Sequence, residues 1–581
     1  LPHSLTEKDA GKAILRVLPS PWPLSRLLAQ SPRRQHRGVH IGNRTRPGDK
    51  PSKLSIALRL PLADNEFRVA PKPVFRGFLV LTFSGSRRTL CDGLNRRQLL
   101  QVGGLELLGL TAQQQTLTAQ QQTLGNNNAT LPAFGRAKSC ILIFPYGSPS
   151  SHETFDPKPS APAEVQGEMK AISSVVPGLS VCERIPSMAT VMDKVTVIRS
   201  MTHPYPLHGL AYAVTGIPTY TPALETRARD KQHWPFIGSI VDFVDTAAGR
   251  GNAELPRNIG LPWLVNSKTD NPAVNAGPFA AFLGAAHDPI WTDFDGPGLH
   301  IAPKNTVAQT ERFRNPFGGT LPRGRFHLSS AAERPADVSI KRLGLRDSLL
   351  AQFDRQRPQL ANLPRVAGYD RQREQALTLL TSNQMRHALD ISREPQRVRE
   401  AYGMHLFGQS CLAARRIIEA GGRFVSVFWD CFGQFANGAW DTHQYHYPRM
   451  KELLLPGFDT AFPTLLNDLQ QRGLLDETLV IWMSEHGRTP TLVPNRPGGG
   501  RDHWSRAYSA LVAGAGTAPG KIVGKTTPDG GDVLDTPVSP KDILATTFHL
   551  LGIDPHLNLI DPLQRPHPVA GSGVVRPELL A

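Results

Sequence analysis

The sequence predicts an α/β fold: a mostly parallel sheet covered by helices on both faces. Three observations predict it. Short runs dominated by apolar, β-branched and aromatic residues recur at 139–144 (SCILIF), 195–201 (VTVIRSM), 423–429 (RFVSVFW), 478–483 (TLVIWM) and 508–513 (YSALVA). Strands that are apolar on both sides belong between two helical layers. Segments of helical spacing separate most of these runs, the alternation that builds crossover connections in a parallel sheet. The loops that follow the runs carry Asp, Glu and His beside Gly, as loops do at the ligand-binding edge of an open sheet.

Taken in order, residues 1–94 read as a basic, low-complexity segment. Arg, Pro and Leu recur there without sustained periodicity, as in SPRRQHRGVHIGNRTRPGDKPSK. The segment is expected to be an over-extended gene start, with a genuine basic tail as the alternative. Residues 95–137 read as a signal and a polar linker. Arg96-Arg97 stand before Leu99-Leu100 and the modestly apolar VGGLELLGLTA, the order of a twin-arginine-type secretory signal. TAQQQTL then occurs twice, at 111–117 and 118–124, and GNNNAT follows.

The folded α/β unit is expected to span 138–581. Its first strand enters the loop PYGSPSSHETFDPKPSAPAE. Residues 183–193 have helical spacing, 195–201 form a strand, and 203–216 form a loop or short helix. A helical and loop-rich insertion is expected over about 220–400, with helices at 234–247, 345–356 and 370–391. Beyond it, 408–420 is a helix closed by Gly421-Gly422. A long helix over 450–473 is interrupted by Pro456 and Pro463. Ser539-Pro540 begins a last helix, Ser as N-cap and Pro in the first turn, running to Leu551.

Charge and cysteine usage exclude several classes. The net charge is +16, from 65 Lys/Arg and 49 Asp/Glu. Residues 1–100 alone hold 19 Lys/Arg against 6 Asp/Glu, so the body is nearly balanced. It has no basic stripe with interleaved aromatics, which argues against nucleic acid as a partner. No apolar run is long enough for a transmembrane helix. The five cysteines, Cys91, Cys140, Cys182, Cys411 and Cys431, form no C-x-x-C pair and no disulfide framework.

The chemistry is expected in the loops after the strands. They bring Ser150, Ser151, His152, Glu153 and Asp156; Thr202, His203 and His208; Asp441 and His443; Glu485, His486 and Arg488; and Asp502 and His503. Parallel strands would set all these loops along one edge. Carboxylate and imidazole without cysteine suit a divalent ion such as Zn, Mn, Mg or Ca. Two clusters would serve two ions about 4 Å apart, the arrangement that clamps the oxygens of a transferring group.

Several ordered motifs carry a family resemblance: RRQLLQVGG, FDPKP, VIRSMTH, FGQSCLAARRIIEAGGRFV, WDTH, LLDETLV, EHGRTP, GGRDHW and DILATTFHLLGI. The chain over about 95–555 resembles secreted bacterial proteins carrying the domain of unknown function 1501. That family is similar to the alkaline phosphatase superfamily of sulfatases, phosphodiesterases and cofactor-independent phosphoglycerate mutases. The resemblance implies an alkaline-phosphatase-like sandwich, a two-metal or degenerate metal site, and export by the twin-arginine route.

Carried over residue by residue, the resemblance implies metal ligands at Asp441, His443, Glu485, His486 and His503. Glu485 replaces an Asp usual in the superfamily. Relatives usually carry Gly-Gly-Pro-Ser-His-x-Asp after the first strand; here Ser151 takes the His position and Glu153 the Asp position, with Asp156 as an alternative ligand. The nearest hydroxyl for a nucleophile is Thr202, with Ser200 next. His203 and His208 are the nearest imidazoles, and His208 is the one taken as a catalytic candidate. Arg488 or Arg199 would hold an anion. No Cys-x-Pro-x-Arg signature supports formylglycine chemistry. The reading is an exported hydrolase of phosphate or sulfate esters with one or two divalent ions, acting on a small-molecule or polysaccharide ester in the periplasm or outside the cell. The alternative is a catalytically degenerate secreted binding or structural protein on the same fold.

Overall fold

The computed structural model describes residues 131–581 apart from 206–209, 218–226, 252–253, 265–275, 297–300, 304–311, 315–321, 329–344, most of 346–363, 382 and 430–439. The chain divides into two units, 1–109 and 110–581, and every described residue belongs to the second. The basic segment, the Arg96-Arg97 signal, the TAQQQTL repeat, Cys91 and Cys431 therefore lie outside the described residues.

One nine-stranded sheet organises the unit. Its strands are β1 (Ser139–Pro145), β2 (Val195–Met201), β3 (Asn258–Leu261), β4 (Ile290–Asp295), β5 (Arg325–Leu328), β6 (Phe424–Trp429), β7 (Thr478–Trp482), β8 (Tyr508–Ala513) and β9 (Lys521–Val523). Their order across the sheet is β9-β2-β8-β7-β1-β6-β3-β4-β5. β1 lies at the centre, parallel to β6 and β7, in the register Ile143↔Val427 and Ile143↔Trp482. β5 is antiparallel to β4, and β8 is antiparallel to both β7 and β2.

The alternation along each strand divides the core. On β1, Ile141 and Ile143 join one buried cluster, while Cys140, Leu142 and Phe144 join the other. On β7, Val480 and Trp482 face the first and Leu479 and Ile481 the second. Period two with no polar face is what a sheet covered on both sides requires. The first face packs against α3 (Leu406–Glu419) and α4 (Leu455–Gln471). The second packs against α1 (Leu210–Thr215), α2 (Ile237–Ala247) and α5 (Pro540–Leu550). α5 begins with a full capping box between Ser539 and Asp542 and carries Pro540 in its first turn.

Four expectations are corrected or extended. β8 runs against the other central strands, because the chain between β7 and β8 returns from the edge where β7 ended without crossing the sheet. Residues 183–193 form only a single turn at Pro186–Ala189 and a 3-10 turn at Met192–Lys194. Their apolar spacing reflects burial of Ile185, Met188, Val191 and Met192 against the core, and the Asp459 carboxylate accepts from the N–H groups of Ser187 and Met188 at 3.0 and 2.7 Å. The helix expected over 450–473 opens as a π turn, Met450–Leu454, ahead of α4. Pro456 lacks the N–H that a regular α turn would use there. The 220–400 segment does more than insert helices: it supplies β3, β4 and β5 to the same sheet.

Cys140, Cys182 and Cys411 are buried and free, as expected of small apolar core residues. No described helix is long and apolar enough to cross a membrane.

Candidate metal centre

β1, β6 and β7 release their chains at one edge, and the loops there interlock. β1 passes into Gly147 and Ser148, both with left-handed backbone at φ +99° and +72°. Gly147 is required twice over: a Cβ there would stand 2.3 Å from the Asp441 nitrogen. The Gly147 N–H donates to Glu485 Oε1 at 2.8 Å. Ser484 Oγ lies 2.6 Å from the other Glu485 oxygen. The Glu485 side chain, 1% exposed, thus ties the β1 loop to the β7 loop.

Beyond Glu485 the chain makes a two-residue ladder, Gly487–Arg488 against His503–Trp504, with Arg488 opposite His503. This ladder carries His503 to the edge where Asp441 and His443 arrive from β6. His443 Nε2 lies 3.0 Å from Asp441 Oδ1 and 2.9 Å from His503 Nε2, and His503 Nε2 lies 3.5 Å from Asp441 Oδ1. Donors about 2.1 Å from one ion, at angles between octahedral and tetrahedral, lie roughly 3.0–3.4 Å apart. The observed edges lie within about 0.1 Å of that range, and among the described residues it is the group of three such ligand atoms that converges. Asp441 is buried, whereas the His443 and His503 side chains are 31% and 23% exposed, so the triangle opens to solvent on its imidazole side.

His443 Nδ1 donates to Asp502 Oδ1, so in the neutral ring its Nε2 is a lone pair directed at a carboxylate. That contact is repulsive unless a cation or a second proton lies between. Asp502 is itself gripped by Arg496, through Nη1 to Oδ1 at 2.6 Å and Nη2 to Oδ2 at 3.0 Å. Burial works against the Asp502 charge, but the bonds from Arg496 and His443 outweigh it and hold the carboxyl below its ordinary range. His486 stands behind His503, ring centroids 4.5 Å apart, with Nδ1 donating to the Gly487 carbonyl at 2.8 Å.

The remaining acidic candidates face basic side chains. The Arg501 guanidinium, fully buried, meets Glu153 Oε1 through Nε at 3.2 Å and Nη2 at 2.7 Å. His446 Nε2 lies 3.3 Å from Glu153 Oε2. Burial raises the Glu153 carboxyl, yet Arg501 and His446 more than offset this and hold it well below its ordinary value. Asp156 pairs with Lys158 at 2.9 Å and Arg199 at 3.5 Å and accepts from Thr526. The structure brings neither carboxylate into the Asp441–His443–His503 triangle.

Arg488 is also committed. Its Nη2 reaches Asp441 Oδ1 at 2.5 Å and the Gly147 carbonyl; Nε and Nη1 donate to the carbonyls of Ser148 and Arg501 at 3.1 and 3.2 Å. Arg199 Nε and Nη2 donate to the carbonyls of Phe155 and Ser180. Both arginines expected to hold an anion therefore brace loops. Thr202 follows β2, its N–H donating to the Val538 carbonyl at 2.9 Å. Next to it, His203 Nε2 donates to the Glu485 carbonyl at 2.7 Å, which joins the β2 loop to the same edge. His208 lies outside the described residues.

Sequence reasoning missed the roles of Arg496, Arg501 and His446. The run Gly498-Gly499-Gly500 was the available signal. A Cβ on Gly500 would stand 2.0 Å from the His443 carbonyl, so this loop must press against the ligand loop. No sequence signal marks His446.

The fold and edge define a class: an α/β protein with a carboxylate–imidazole cluster at the carboxyl ends of its central strands. Residues 137–580 match the family described as "Protein of unknown function (DUF1501)". The chain belongs to that family. No curated protein matches it. Among solved structures, it is similar to the PsFucS1 sulfatase from Pseudoalteromonas sp., at 13% identity over 77% of this chain and 72% of that one, TM-score 0.34. It is similar also to Ps i-CgsB in complex with k-i-k-neocarrahexaose, at 13% identity over 72% of each chain, TM-score 0.31. The lipoteichoic acid synthase LtaP from Listeria monocytogenes matches at 9% identity over 74% and 77%, TM-score 0.27. At this level the likeness carries no substrate or chemistry across to this chain.

Proposed function

We propose that this chain is a metal-dependent hydrolase of phosphate or sulfate esters, exported through the twin-arginine route to the periplasm or beyond. The observation that carries the reading is the triangle of Asp441 Oδ1, His443 Nε2 and His503 Nε2, with edges of 2.9–3.5 Å and an open imidazole side. A divalent ion held there would supply Lewis acidity toward an ester oxygen. The chain's own residues do the rest. Asp441 provides charge from a buried position, and Arg488 Nη2 holds its Oδ1, the oxygen that faces the two imidazoles. Glu485 holds the β1 loop against the β7 loop. Thr202, the residue after β2, is the candidate hydroxyl nucleophile, and its neighbour His203 binds the Glu485 carbonyl. The ester is a small molecule or a polysaccharide.

A specific observation favours a second reading, a degenerate binding or structural protein. Arg501 and Lys158 neutralise Glu153 and Asp156, and the Arg488 donors point at backbone carbonyls and Asp441. A single ion would then be bound without turnover.

The test is metal analysis of the purified chain, with aryl phosphate, phosphodiester and aryl sulfate substrates supplied alongside Zn, Mn, Mg or Ca. The expected result is one ion per chain and turnover of an ester, both abolished by His503→Ala. An ion retained with no turnover on any substrate selects the second reading. Neither ion nor turnover removes the metal-centre reading altogether.

A further inference from the structure

Arg496 and Asp502 lie beside the cluster but have no place among the three converging donors. Asp502 Oδ1 receives His443 Nδ1–H, and Arg496 grips both Asp502 oxygens. Arg496 Nη1 also donates to the His443 carbonyl at 3.0 Å, so one guanidinium holds the ligand residue by side chain and main chain together. The loop that carries Arg496 is itself zipped to the ligand loop. Tyr445, His446 and Tyr447 donate backbone N–H bonds to the carbonyls of Pro497, Gly499 and Gly498 at 2.8, 3.2 and 3.0 Å. Asn495, Gly498 and Gly499 take left-handed φ values of +60°, +66° and +76° to follow that path. Asp502 and Arg496 thus hold His443 by side chain and main chain, from the loop whose next residue, His503, is itself a donor of the triangle.

We propose that Asp502, clamped by Arg496, is the positioning residue of this centre: it fixes His443 as the Nδ1–H tautomer and aims its Nε2 lone pair at the ion. The inference rests on the metal-centre reading above, and it assigns Asp502 an orienting role, not a ligand role. A carboxylate behind an imidazole ligand fixes ring orientation and raises the basicity of the other nitrogen. Removing the carboxylate leaves Arg496 Nη1, 3.3 Å from His443 Nδ1, as the nearest partner. A guanidinium can only donate, so it draws out the opposite tautomer, with the proton on Nε2 where the ion should bind.

Two measurements on the full chain test this. The first is 15N chemical-shift mapping of His-labelled protein without metal, with His443 identified by its loss in His443→Gln. Wild type should show Nδ1–H at His443, and Asp502→Ala should shift the population to Nε2–H. The second is Zn affinity by competition with a chromogenic chelator. Asp502→Ala should weaken binding about 10–100-fold, Arg496→Ala less, and Arg496→Lys should restore part of the loss. An unchanged tautomer in Asp502→Ala, or unchanged Zn affinity in both alanine variants, overturns the assignment. A wild-type chain that binds no Zn, Mn, Mg or Ca removes the metal-centre reading, while the tautomer measurement still decides whether the clamp exists.

Discussion

His203 shows how burial sets the chemistry of one side chain. It is 6% exposed, its Nε2–H donates to the Glu485 carbonyl, and its Nδ1 accepts from the Tyr205 N–H at 3.2 Å. Burial lowers its pKa from 6.5 to about 4. The unfolded chain therefore takes up a proton that the folded chain refuses. The stability this represents is fully present above pH 6.5, declines as acid protonates the unfolded imidazole, and is lost by about pH 4. His152 and His446, whose values burial also lowers, share the upper part of that window. Between pH 7 and pH 4.5 the His203 contribution should fall by about 2–3 kcal/mol. Urea unfolding of His203→Gln at the two pH values should show a loss smaller by that amount than wild type. Equal losses would mean that His203 is not held neutral by the fold.

The loops after β1, β6 and β7 act together because charged side chains lock them. Arg501 is the strongest case. Its side chain is fully buried, donates to Glu153 and to the carbonyls of Thr489 and Val165, and its backbone N–H donates to the Thr442 carbonyl. Removing one partner of a buried pair strands the other charge, at a cost of about 3–5 kcal/mol. Arg501→Ala should lose about that much in chemical denaturation. The double variant Arg501→Met with Glu153→Gln should recover a large part of it, because no buried charge is then left alone. If the double variant is as unstable as the single one, the pair is not what locks these loops. Much at this scale was legible in the chain: β1, β2, β6, β7 and β8 fall within a residue or so of the predicted runs, since strands buried on both faces carry apolar residues at most positions of both. The single turn at Pro186–Ala189 was not, because spacing by three records burial and does not distinguish a helix from a loop lying on the core.

For the molecule as a whole, the sheet sets the edge and the loops set the site. The export reading also belongs at this scale, and it rests on Arg96-Arg97 ahead of a short apolar run. Replacing both by Lys should leave the chain inside a cell whose twin-arginine route is intact, read by fractionation. Unchanged export would refute a twin-arginine signal. Local sequence by itself determined the central strands, the two-sided core and the cap of α5, because periodicity, apolar content and the Ser539-Pro540 signal act over a few residues. It also placed Asp441, His443 and His503 as ligand candidates, since loops after buried strands have one edge to occupy. Only the tertiary structure decided which acidic residue lies against the His443–His503 pair and which ones basic side chains enclose away from it. Glu153 and Asp441 both follow buried strands and both meet an arginine, but Arg501 and His446 surround one while Arg488, His443 and His503 surround the other. The tertiary structure likewise decided that β8 runs antiparallel and that 220–400 extends the sheet. Those choices depend on contacts between residues hundreds of positions apart, where electrostatic pairing and packing leave no local pattern to read.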